Sequence, residues 1–179
     1  KEQLDYDLKK SNEVISKITN KPIIGYRAPM GSIGDKNIWV LDVLKDNGFK
    51  YDSSIYSSSL LVHSGSRNIG EEVTEIKKGF WEVPLSVETY MKIPIPISGG
   101  FYLRSLPFFL FKKLMEKRNK AKKTTVLYYH PWEFSTQYPR LARSYLKSFI
   151  QYYNLLSVKP KLEELLGMYE FVPISNIFE

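Results

Sequence analysis

Residues 22–54 run PIIGYRAPMGSIGDKNIWVLDVLKDNGFKYDSS. After Pro22, the apolar run Ile23-Ile24-Gly25-Tyr26 predicts a short strand that feeds the loop Arg27-Ala28-Pro29. Pro29 pushes Ala28 toward extended geometry, so that loop is stiff. A helix is expected next, with Ser32 or Asp35 as its cap, an apolar stripe at Ile38, Leu41 and Leu44, and Gly48 at its end. Phe49-Lys50-Tyr51 then reads as a second strand, ending at Asp52-Ser53-Ser54.

The alternation continues on both sides. Leu4, Leu8, Val14, Ile15 and Ile18 fall mostly on one helical face, which predicts an amphipathic helix over 2–18. The chain begins without Met and inside that pattern, so a piece cut from something longer is expected. Residues 56–78 are polar and dotted with Ser and Gly, as in a long surface excursion. Phe80 to Val87, FWEVPLSV, reads as a strand, whereas Met91 to Gly100, with Pro94, Pro96 and a Gly pair, reads as an irregular loop. A helix over Leu106 to Lys117 precedes TTVLYY, residues 124–129, a continuous β-prone run of the kind found in buried strands. Two helices, near 140–155 and 160–167, and a last strand around Phe171-Val172 complete the reading. No repeat or internal linker is visible, so one domain over 1–179 is expected.

Helices alternating with strands predict an α/β domain with parallel strands, either barrel-like or doubly wound. In such folds the polar residues just past the carboxyl ends of strands form the active site. That rule selects Arg27, Asp52, the Gly99-Gly100 loop and His130.

Each of these has its chemistry. His130, one of two histidines, follows the TTVLYY run, and an imidazole at a strand end suits proton transfer near neutrality. Arg27 in its stiff loop is suited to a carboxylate, which a guanidinium holds through two parallel hydrogen bonds. Asp52 could orient a histidine and favour its charged form, or could cap a turn, since Asp-Ser-Ser is capping chemistry. Two histidines far apart in sequence make a weak zinc case, and no metal ligand is assigned within the chain. A phosphate-binding glycine loop and a hydrolase serine elbow are both missing from the sequence.

Composition narrows the field. There is no Cys, which excludes thiolate chemistry, and no apolar run approaches the roughly 20 residues of a membrane span. Aromatic residues reach 15%, enough to line a site where flat rings stack on sugars, or to fill a core. The net charge of +7 raises nucleic acid as a partner, but the lysines are spread out, with one dense run, Lys112 to Lys123. Nucleic acid is therefore disfavoured against an anionic glycan or a membrane surface.

In order along the chain, RAP at 27–29, YDSS at 51–54, GGFYLR at 99–104 and HPWEF at 130–134 resemble the polysaccharide deacetylases, the NodB-homology or family-four carbohydrate esterases. FWEVPLSV and ISGGFYLRSLPFF are similar to one branch of that family. Its members carry a C-terminal extension, here from about residue 80, and occur near exopolysaccharide clusters. The resemblance implies a distorted (β/α) barrel, of which this chain would be the C-terminal portion. It implies removal of N-acetyl groups from a polysaccharide or oligosaccharide, with a divalent metal, usually zinc, whose ligands lie outside this chain. Arg27 would hold the catalytic base, Asp52 would tune the histidine, and His130 would protonate the leaving amine. Tyr26, Pro29, Gly100, Arg104 and Trp132 would border the substrate, and His63 would match a histidine of the branch's long loop.

The family's first motif, Thr-Phe-Asp-Asp, and its second, His-x-x-x-His, are absent from these residues. The alternative reading is a catalytically inactive, carbohydrate-binding relative. In either case Arg27 and His130 are expected to serve one cleft.

Overall fold

A computed structural model describes residues 1–57, 69–135, 137 and 144–178. They group into two compact units, Lys1–Val87 and Glu88–Glu179. Among the described residues no helix is long and apolar enough to cross a membrane.

The first unit opens with helix α1, Glu2–Thr19. Asn20 stops it in the left-handed conformation, its N–H returning to the Ser16 carbonyl. Strand β1, Gly25–Tyr26, follows, then helix α2, Val40–Asp46, and strand β2, Tyr51–Asp52. Helix α2 starts later than Ser32 or Asp35 would place it. Residues 29–31 and 35–37 instead form two single turns, and the Asn37 side chain accepts from Gly34 N at 2.8 Å. Strands β3, Thr74–Lys77, and β4, Phe80–Glu82, close the unit. β3 falls inside the stretch expected to be an excursion. Gly79 has φ near 75°, which lets the chain fold straight back onto β4.

The four strands run in the order β1-β2-β4-β3. β1, β2 and β4 are parallel, as the alternating pattern predicts, and β3 is antiparallel on β4. Register is the fact that matters most. Tyr26 lies beside Asp52, and Asp52 beside Glu82, in one row across the three parallel strands. Beneath the sheet, Leu8, Ile33, Leu41, Leu44, Phe49, Ile55 and Phe80 pack into one apolar core.

Strand β5, Val87–Tyr90, starts at the last residue of the first unit and forms a two-stranded sheet with β6, Ile93–Pro96. β6 corrects the expectation of a loop. Proline lacks a donor, but a strand at a sheet edge tolerates it. Met91 and Lys92, both left-handed, make the two-residue turn between the strands.

Helices α3, Gly100–Ser105, α4, Phe108–Lys120, α5, Tyr145–Tyr152, and α6, Val158–Met168, follow. Ile97, Leu103, Phe111, Leu114, Val158 and Leu165 form a core shared by α3, α4 and α6, to which α5 contributes no buried residue. The TTVLYY run is not a strand. Among the described residues, 124–130 join no sheet, and in the run only Val126 is buried. A β-prone run becomes a strand only where a neighbour completes its ladder, and here the Val126 carbonyl accepts from the Ser98 hydroxyl instead. Phe171 and Val172 likewise form no strand.

Candidate functional site

The carboxyl ends of β1, β2 and β4 lie side by side because the three strands are parallel and in register. The residues one step beyond the row are Arg27, Ser53 and Val83, and hydrogen bonds tie them together. Arg27 donates from Nε to the Ser53 carbonyl and from Nη2 to Ser53 Oγ, each at 2.7 Å. Ser53 Oγ in turn donates to the Val83 carbonyl at 2.8 Å. Ala28 N donates to Ser54 Oγ at 2.7 Å, and Ser54 Oγ donates to Asp52 Oδ1 at 2.6 Å. The RAP loop is thus pinned to the YDSS turn by residues 26 positions apart in sequence.

Asp52 and Glu82 are both fully buried. Asp52 Oδ2 accepts from Ser54 N at 3.1 Å, and Glu82 Oε1 accepts from Ile55 N at 3.1 Å. The two carboxyl groups also lie within hydrogen-bond reach of each other. Burial raises the pKa of Asp52. Burial, with the Asp52 charge next to it, pushes Glu82 up to about 10. Tyr26 is raised as well, by burial and then by the charge of Asp52. Asp52 therefore anchors the turn from beneath, and nothing in its surroundings opens it to solvent.

Ser54 joins both halves of this network. Ser54→Ala would leave a buried carboxyl oxygen and the Ala28 N–H without their partner, each costing about 1–3 kcal/mol. We expect a clear fall in the urea midpoint with an unchanged m-value.

Tyr26 packs edge-on against Phe49, with ring centroids 5.8 Å apart, and Pro29 is exposed at the start of the first single turn. A groove of about 350 Å³ borders Tyr26 and Arg27. Its other wall includes Asp7, Ser11 and Asn12 of α1. It is a polar-edged cleft.

The second unit gathers Gly100, Arg104, His130 and Trp132 around Glu133. His130 is exposed and stacks on Trp132, with centroids 6.2 Å apart and planes 16° from parallel. Tyr128 meets the imidazole edge-on at 5.8 Å. The His130 N–H donates to Glu133 Oε2 at 2.9 Å, which fixes the bend that presents the ring. Arg104 is only 3% exposed. Its guanidinium pairs with Glu133 at 3.2 Å and donates to the carbonyls of Ile150, Gln151 and Tyr153. Gly100 is buried, and a Cβ there would overlap the Glu133 carboxyl. Arg104 and Gly100, expected beside the substrate, are interior parts of the support for His130 and Trp132.

Two functional candidates escaped the sequence reading: Glu82 and Glu133. Glu82 had a signal, a lone carboxylate within the apolar strand FWEVPLSV. His63 lies outside the described residues. Among the described residues, no group of three or more His, Cys, Asp or Glu side chains could hold a metal ion.

The molecule is thus a mixed α/β protein whose first unit places a pinned arginine loop over a buried carboxyl row. Residues 53–179 match the model of a family described as a domain of unknown function, DUF3473, and the chain belongs to that family. No curated protein and no solved structure matches it.

Proposed function

We propose that the chain is the C-terminal portion of a glycan deacetylase, a hydrolase that removes N-acetyl groups from a polysaccharide and has the distorted barrel of the polysaccharide deacetylases. The observation that carries this reading is the pairing of two motifs. RAP and YDSS, which resemble successive motifs of that family, are hydrogen-bonded to each other at neighbouring carboxyl ends of parallel strands. A merely fortuitous match of short motifs gives no reason for them to meet. The stack of exposed His130 on half-buried Trp132 is a second support, since a flat ring beside a proton donor suits a sugar substrate.

In this reading Arg27 holds the carboxylate base, and the Ser53 contacts keep its guanidinium aimed. His130 protonates the departing amine, and Trp132 stacks on the sugar. Tyr26 and Pro29 border the substrate groove. Asp52 acts indirectly, through the turn it anchors. A divalent metal, zinc in the usual case, would polarise the acetyl carbonyl when bound. Among the described residues no group of three or more His, Cys, Asp or Glu fits such an ion, and the resemblance puts its ligands outside this chain.

The test joins this chain to its upstream sequence, supplies zinc and measures acetate release from N-acetylglucosamine oligomers. His130→Ala and Arg27→Ala should each lower the rate by roughly 10²–10⁴-fold, the range of a lost proton-transfer group. Unchanged rates would remove both roles. The binding-only alternative rests on the same aromatic stack. It requires measurable oligosaccharide affinity in the 179-residue chain without metal, lost on Trp132→Ala.

A further inference from the structure

We propose that Asp52 and Glu82 share a single proton across the β2–β4 pair, and that Glu82, through this bond, is a positioning residue for the Arg27 loop. The inference goes beyond the glycan reading and does not depend on it.

The two residues are register partners on adjacent parallel strands, so their side chains leave the same face at the same level. Both are 0% exposed. Among the described residues no salt bridge reaches either carboxyl; the groups that meet them are neutral, the Ser54 hydroxyl and the backbone amides of residues 53, 54 and 55. Two adjacent buried carboxylates without a cation cannot both be charged. Glu82 Oε2 has no N–H or O–H partner, although it is buried. A proton between Glu82 and Asp52 satisfies that oxygen and removes one of the two charges together. The charged and titratable groups on this side are Tyr26 of β1, which feels the Asp52 charge, and Arg27, whose guanidinium is turned to Ser53.

The positioning role follows from where the other oxygens point. Glu82 Oε1 holds Ile55 N, and Asp52 holds both the hydroxyl and the amide of Ser54. Ser53 and Ser54 then hold Arg27 and Ala28. With Glu82 ionised, two like charges would push β2 and β4 apart directly under that turn.

The sign of the pH effect is fixed by the direction of the shift. Glu82 keeps its proton in the fold well above 4.5, its ordinary value, so the folded state binds one proton more than the unfolded chain between 4.5 and about 10. Stability is then fullest at low pH and falls as pH rises through that window.

The experiment compares urea unfolding of the wild-type chain and Glu82→Gln between pH 5.5 and 9. Glutamine keeps the shape and a donor but cannot ionise. The ratio of the two unfolding constants should change about tenfold per pH unit, the slope of one linked proton. A ratio independent of pH would overturn the shared proton.

If Glu82→Gln does not fold, the wild type decides alone. With carbon-13-labelled, sequentially assigned glutamate carboxyls, Glu82 should show no titration below pH 8, and ionisation below pH 6 would overturn the proposal. For positioning, the readout is the Arg27 Nε–H resonance. It should move in Glu82→Ala and return in Glu82→Gln. A resonance that stays in place in a folded Glu82→Ala would overturn the positioning role.

Discussion

Replacing Arg104 with alanine should cost about 3–5 kcal/mol, a large fraction of the stability of a domain this size. The reason is what the substitution leaves behind. Arg104 and Glu133 are an ion pair with side chains 2% and 3% exposed, and the same guanidinium serves three carbonyls at 150, 151 and 153. Truncation strands a buried carboxylate and several buried acceptors at once. Burial pulls the pKa of Arg104 down, and the Glu133 charge acts against it. Urea unfolding followed by intrinsic fluorescence measures the loss. Arg104→Met with Glu133→Gln should recover part of it, because no uncompensated charge remains inside. A single Arg104→Ala costing less than 1 kcal/mol would show the pair to be solvated.

Gly100→Ala is the second large effect. The added methyl would occupy the space of the Glu133 carboxyl. That carboxyl cannot simply swing aside, being held by Arg104 on one oxygen and by the His130 N–H on the other. Overpacking typically costs 1–3 kcal/mol, and the upper end or beyond, about 3 kcal/mol, is expected where the obstructing group is pinned. The same substitution should disturb the His130 bend, so the imidazole proton resonances should shift together with the loss of stability. Glu133→Ala added to Gly100→Ala should cost less than the two single changes summed, since the clash and the missing carboxyl cancel. Additive losses would mean the methyl is accommodated elsewhere.

Much of the architecture could be read from the residues, for identifiable reasons. Helices α1, α4 and α6 carry apolar periodicities, and their positions agree to within a few residues with the pattern; α2 agrees at its end only. β1 and β2 were legible because each short apolar run ends in polar residues that demand a loop. β6 was not, because Pro94 and Pro96 argue against a ladder, and only the tertiary position, a two-stranded edge, makes them tolerable. TTVLYY shows the opposite failure. Its composition is that of a central strand, but pairing is decided by a neighbour that no local pattern encodes.

The site divides along the same line. Arg27, Asp52 and His130 stood out because they follow strand-like runs. Arg104 and Gly100 stood out too, yet sequence cannot tell an arginine that meets a ligand from one that, like Arg104 of α3, is turned inward to Glu133. Glu82 was hidden by its pattern, since a carboxyl in an apolar strand reads as outward-facing until register sets it opposite Asp52.

The acceptors of Arg104 stand 46 to 49 residues downstream of it. During chain growth and refolding this arginine must stay hydrated until that later segment closes over it, because loop closure over such a distance precedes any reward from the contact. A cluster that closes late acts as a latch on the finished unit: Arg104→Ala is then expected to speed unfolding more than it slows folding, which chevron kinetics would measure.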